Sequence, residues 1–122
     1  MKAKILLVDD SGMARRTIRQ MVETAGYEVV EADDGMTALE RYFLEKPGLV
    51  LLDLVMKGMR GLDVLEKLHE LDPKVRAIVV SADIQDSSRD LAVAGGARDF
   101  LSKPVDRASL LSAVSCVLEA SA

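Results

Sequence analysis

Five residues able to act on one another chemically stand just beyond four short runs of the chain. Ile5-Leu6-Leu7-Val8 leads into Asp9-Asp10, Leu49-Val50-Leu51-Leu52 into Asp53, Ile78-Val79-Val80 into Ser81, and Asp99-Phe100-Leu101-Ser102 into Lys103-Pro104. Three carboxylates drawn to one place repel one another unless a cation neutralises them. Carboxylate oxygens with no neighbouring His or Cys favour a hard ion, and Mg²⁺ in particular combines one or two carboxylates with water and phosphate oxygens. Such a set implies a site that binds Mg²⁺ and handles phosphate. An Asp-Asp pair alone is ordinary turn and cap chemistry; the equivalent placement of Asp53, Ser81 and Lys103 sets this pair apart.

The elements that must position these groups can be read from periodicity. The runs ending before Asp9, Asp53 and Ser81 are apolar throughout, as expected of strands buried on both faces in a parallel sheet covered by helices. Glu28-Val29-Val30-Glu31-Ala32 mixes charge with apolar residues and Asp99–Ser102 is short, so both read as edge strands. Ala14 to Ala25 places Ile18, Met21, Val22 and Ala25 on one helical face and Arg15, Arg16, Arg19 and Glu23 elsewhere, with Gly26 as the stop. Met36 to Glu45 follows a cap at Asp33 or Asp34 and ends before Pro47, and Leu62 to Leu71 ends before Asp72-Pro73. A shorter helix runs from about Gln85 to Ala94 and stops at Gly95-Gly96. The last, Asp106 to Leu118, turns Leu110, Leu111, Val114, Val117 and Leu118 inward. Strand and helix thus alternate five times. Right-handed crossovers and central placement of the most apolar strands give an α/β, flavodoxin-like, doubly wound five-stranded parallel sheet of order 2-1-3-4-5 with five helices. Ligands of such a sheet sit outside the carboxyl ends of its strands, near the reversal between strands 1 and 3.

Composition narrows the function classes. A chain of 122 residues that is 49% hydrophobic suits one domain with a real core, and a formal charge of -4 offers no electrostatic footprint for nucleic acid. Cys116 is the sole cysteine and falls in an apolar helical pattern, so it is expected to be buried and no intrachain disulfide can form. The apolar run after Met1-Lys2-Ala3-Lys4 is too short for a signal-peptide core or a membrane span, so a cytoplasmic location is expected. His69 sits on a polar helix face and is expected to be exposed.

Leu7-Val8-Asp9-Asp10, Leu51-Leu52-Asp53-Leu54-Val55-Met56 with Gly61, Val80-Ser81-Ala82 and Phe100-Leu101-Ser102-Lys103-Pro104 resemble, in order, the four signature segments of two-component receiver domains. The likeness spans essentially residues 1–122. It implies that Asp53 accepts a phosphoryl group from a sensor histidine kinase or a phosphotransfer protein. It further implies that Asp10 and Asp53 bind Mg²⁺ directly, Asp9 through water, and that the Val55 carbonyl is another ligand. An Asp is ordinarily ionised at neutral pH and needs no general base to attack phosphorus, while Mg²⁺ and the Lys103 ammonium offset charge on the phosphoryl oxygens. In such domains the Lys-Pro bond is often cis. Ser81 would hydrogen-bond the phosphoryl group and shift inward, making room for the aromatic residue Phe100 and altering the face of helix 4, strand 5 and helix 5 for a downstream protein target.

Two departures from the family pattern stand out. Relatives usually carry Pro four residues beyond the acceptor, where this chain has Lys57, flanked by Gly58, Met59 and Arg60. The positions that commonly tune hydrolysis hold Val55 and Asp83, and an apolar Val55 cannot orient an attacking water. Slow dephosphorylation follows, with a phosphatase as one remedy. The expected protein is not an enzyme acting on a separate substrate. With no DNA-binding or catalytic segment after residue 118, it reads as a stand-alone receiver of the chemotaxis or phosphorelay type, or else as the receiver of a larger regulator. A haloacid-dehalogenase-like phosphatase would want a second Asp two residues after a nucleophile on strand 1, whereas Ser11-Gly12-Met13 follow here. A nucleotide-binding domain would want a Gly-rich phosphate loop after strand 1, which is absent. Intact Asp9, Asp10, Asp53, Ser81 and Lys103 argue against a receiver that only docks.

Overall fold

A computed structural model describes residues 3–82 and 85–119. The elements run β1 (Lys4–Val8), α1 (Gly12–Thr24), β2 (Glu28–Ala32), α2 (Gly35–Glu45), β3 (Leu49–Leu52), α3 (Gly61–Leu71), β4 (Ala77–Ser81), α4 (Asp86–Ala94), β5 (Asp99–Ser102) and α5 (Arg107–Glu119). All pairings are parallel, and the order is β2-β1-β3-β4-β5. This is the architecture expected from the alternation of runs.

The period-two alternation of the central strands divides the core into two layers. Leu6, Val8, Val50, Leu52 and Val79 face Ala38 of α2, Val64, Leu65 and Leu68 of α3, and Ala92 of α4. Ile5, Leu7, Leu49, Leu51, Ile78 and Val80 face Ile18 and Val22 of α1 and Leu110, Val114 and Val117 of α5. All residues of β1, β3 and β4 except Lys4 are buried, so these strands need helices on both faces.

Helix starts follow capping chemistry. The Ser11 hydroxyl accepts from the Ala14 N–H at 3.2 Å, which starts α1 at Gly12 rather than Ala14. Asp34, not Asp33, caps α2, accepting from the Thr37 N–H at 2.8 Å.

Two single-residue expectations fail. Cys116 is exposed, because α5 buries Ala113, Val114 and Val117 and turns the cysteine outward. His69 is half-buried rather than exposed, and its Nε2 is sealed from solvent without a hydrogen-bond partner among the described residues. The ring lies against Gly96, where an added Cβ would fall 2.1 Å from Nε2; that glycine also has φ +101°, which disfavours any L side chain. Among the described residues, no helix is long and apolar enough to cross a membrane.

Candidate functional site

The registry of β1 and β3 places the acidic groups. Val8 pairs with Leu52, and the Asp53 N–H donates to the Val8 carbonyl at 3.0 Å, so Asp9 and Asp53 leave the sheet side by side. Asp9 and Asp53 are buried, Asp10 is exposed, and carboxylate oxygens of all three lie within 4.8 Å of one another.

Lys103 enters from the end of β5. Its N–H donates to the Ser81 carbonyl at 2.8 Å, and the peptide bond to Pro104 is cis, as the resemblance implied. Its ammonium donates to Asp9 Oδ2 at 2.6 Å and Asp53 Oδ2 at 3.1 Å. Burial pulls the Lys103 pKa down, but the hydrogen bonds to Asp9 and Asp53 outweigh it and hold the group above the usual lysine value. Three carboxylates against this one ammonium leave two formal negative charges, which a divalent cation would balance.

Each carboxylate is also held by a backbone N–H from a loop: Asp9 Oδ1 by Ser11 at 2.9 Å, Asp53 Oδ1 by Val55 at 3.1 Å, and Asp10 Oδ2 by Lys57 at 3.1 Å. The loop after β3 is itself anchored. Leu54 and Met56 are buried while Val55 between them is 62% exposed beside the acidic cluster. The Gly61 N–H donates to the Leu54 carbonyl at 3.0 Å, and a Cβ at Gly61 would lie only 2.2 Å from the Asp53 carbonyl oxygen. The glycine at the start of α3 is therefore what lets the helix approach the backbone of Asp53.

Ser81 is fully buried at the end of β4, next in the sheet to β3. Phe100 is not among the polar groups; it lies in the core layer shared with α3 and α4, with the Arg89 guanidinium 5.3 Å from its ring centroid. Asp83 lies outside the described residues.

One support was not singled out by sequence. Arg15 donates to the Asp9 carbonyl at 2.6 Å and to Glu31 Oε1 at 2.9 Å, and Arg19 also binds Glu31. Burial raises the Glu31 pKa, but the bonds from Arg19 and Arg15 prevail and lower it. The legible signal was two arginines four apart on α1, beside a glutamate inside a mixed strand.

The family model for the response regulator receiver domain matches residues 5–115. The chain belongs to this family. It is a CheY-like receiver of two-component systems. The chemotaxis protein CheY of Thermotoga maritima is 35% identical over 118 residues, covering 96% of this chain and 98% of that protein. The crystal structure of a CheY-like receiver domain protein from Methanospirillum hungatei superposes with a TM-score of 0.92 at 29% identity, over 98% of this receiver and 95% of that chain. A chain in the crystal structure of the CheX-CheY-BeF₃-Mg²⁺ complex from Borrelia burgdorferi gives 0.90 at 31% identity, over 93% and 87%. These receivers share the topology that brings the ends of β1, β3 and β5 together here.

Proposed function

We propose that residues 1–122 form one receiver whose Asp53 is the phosphoacceptor of a two-component pathway, cytoplasmic and served by a sensor histidine kinase or phosphotransfer protein. The observation that carries this reading is the cluster itself: three carboxylates within 4.8 Å, two of them bridged by the Lys103 ammonium. The donor set is all oxygen with a net negative charge, which fits Mg²⁺. Asp10 and Asp53 would hold the ion directly and Asp9 through water, with the Val55 carbonyl as a further ligand. When bound, the ion would neutralise charge on the phosphoryl oxygens.

The rest follows from the chain's own residues. An Asp53 oxygen attacks phosphorus in line, the bond to the donor nitrogen breaks, and an acyl phosphate remains on Asp53. Lys103, charged at neutral pH, moves from its two carboxylates to a phosphoryl oxygen. The buried Ser81 hydroxyl would shift inward to bond another, and Phe100 would follow into the space so freed, altering the α4-β5-α5 face read by a protein target. Val55 presents methyl groups where a polar side chain would orient water, so the acyl phosphate is long-lived and a phosphatase is a suitable partner; Asp83 would tune the same step. The receiver turns over no separate substrate.

Beryllofluoride titration with Mg²⁺, followed by amide chemical shifts, tests this reading; the Borrelia burgdorferi complex was crystallised with the same pair. Shifts should spread from Asp53 through Ser81 to Phe100 and α4. Shifts confined to the acidic cluster would overturn the readout.

A further inference from the structure

We infer that the backbone N–H of Lys57, not its ammonium, is a positioning group that prepares Asp10 for the cation; this rests on the metal reading proposed above. Asp10 is the exposed member of the acidic cluster, and repulsion from the buried Asp9 and Asp53 favours swinging it into water. It nevertheless keeps an oxygen within 4.8 Å of theirs.

The bond from the Lys57 N–H to Asp10 Oδ2, 3.1 Å long and spanning 47 residues of sequence, opposes that swing. It also ties the loop after β1 to the loop after β3, the two segments that carry all three carboxylates. An N–H is suited to the task because it orients a carboxylate without neutralising it, whereas a second ammonium beside Lys103 would compete with the cation. One oxygen of Asp10 remains for the ion. Any residue but proline supplies this donor, so the chemistry resides in the backbone at position 57.

The test is Mg²⁺ binding by calorimetry on the whole chain, with thermal melts in the absence of Mg²⁺ as the control for folding. Lys57→Ala keeps the N–H and should bind as the wild type does. Lys57→Pro removes it and should bind about fivefold more weakly, the factor equivalent to about 1 kcal/mol for a solvent-exposed hydrogen bond to a carboxylate. Replacing the Met56–Lys57 amide by an ester removes the same hydrogen while keeping the side chain, and decides the matter whether or not proline fits the loop. Equal weakening in Lys57→Ala would assign the effect to the ammonium and overturn the inference, as would wild-type affinity in the ester variant. A wild-type chain that takes up no Mg²⁺ would overturn the metal reading beneath it.

Discussion

Gly61→Ala probes how the fold holds Asp53. The added Cβ would lie 2.2 Å from the Asp53 carbonyl oxygen and 2.5 Å from Leu54 Cα, where contacts under 3.0 Å are essentially never seen, so oxygen and Cβ must part by at least 0.8 Å. Both obstacles are backbone, and neither can rotate aside. One remedy moves the start of α3, whose Val64, Leu65 and Leu68 are fully buried; the other moves the peptide of Asp53. Overpacking of this kind costs about 1–3 kcal/mol. Misplacing a reacting group by nearly 1 Å lowers its rate by up to roughly 100-fold. Gly61→Ala should therefore lose stability in urea titration and lose much of its rate of acyl phosphate formation from a small phosphoryl donor with Mg²⁺. Gly58→Ala is the comparison: φ is +79° there but nothing lies within 4 Å, so it should lose about 1–2 kcal/mol of stability with little loss of rate. Wild-type phosphorylation in Gly61→Ala, or an equal rate loss in Gly58→Ala, would refute the idea that close approach at Gly61 sets the geometry of Asp53.

Val55→Asn should shorten the acyl phosphate lifetime, measured as decay of the labelled protein after donor removal, because an exposed amide beside Asp53 can orient water; an unchanged lifetime would remove Val55 from the account. Tyr42→Phe should cost about 0.5–1 kcal/mol after allowance for solvent screening, by loss of the 2.6 Å bond from the Tyr42 hydroxyl to Asp72 Oδ2. Its pH dependence has a definite sign. The Tyr42 hydroxyl, then the Lys74 N–H, holds Asp72 below the usual carboxylate value, so this stability is present above about pH 4 and lost as pH falls through the lowered folded value. Burial first, and Asp72 second, raise the Tyr42 pKa, so its share is complete below about pH 10 and lost only as pH rises toward the raised folded value. Urea titrations should show a gap between wild type and Tyr42→Phe that is flat near neutrality and closes in acid; a gap that persists unchanged in acid contradicts the pairing.

The fold was legible because burial on both faces writes β1, β3 and β4 as unbroken apolar runs, whereas an edge strand such as β2 is marked mainly by the spacing of its neighbours. The site was legible for the same reason: Asp9 and Asp53 directly follow such runs, Asp10 comes next to Asp9, and strand registry brings Asp9 and Asp53 together. Contacts that depend on loop paths or helix rotation were not. Cys116 looked buried within an apolar stretch, yet a rotation of α5 that buries Ala113 and Val117 exposes it. His69 looked solvated until the turn at Gly96 brought backbone against its ring. The Arg15 contact to the Asp9 carbonyl and the Lys57 N–H to Asp10 both use main-chain atoms, which no residue type announces.

Phosphorylation at Asp53, as proposed, has a direct chemical readout. Borohydride reduces an acyl phosphate of aspartate to homoserine, so peptide mapping of the reduced, phosphorylated chain reads the acceptor directly. Homoserine at position 53 alone, dependent on Mg²⁺ and absent in Asp53→Asn, is the predicted result; homoserine at position 9 or 10 in the wild type, or none at 53 in a chain that has taken up phosphate, would contradict it.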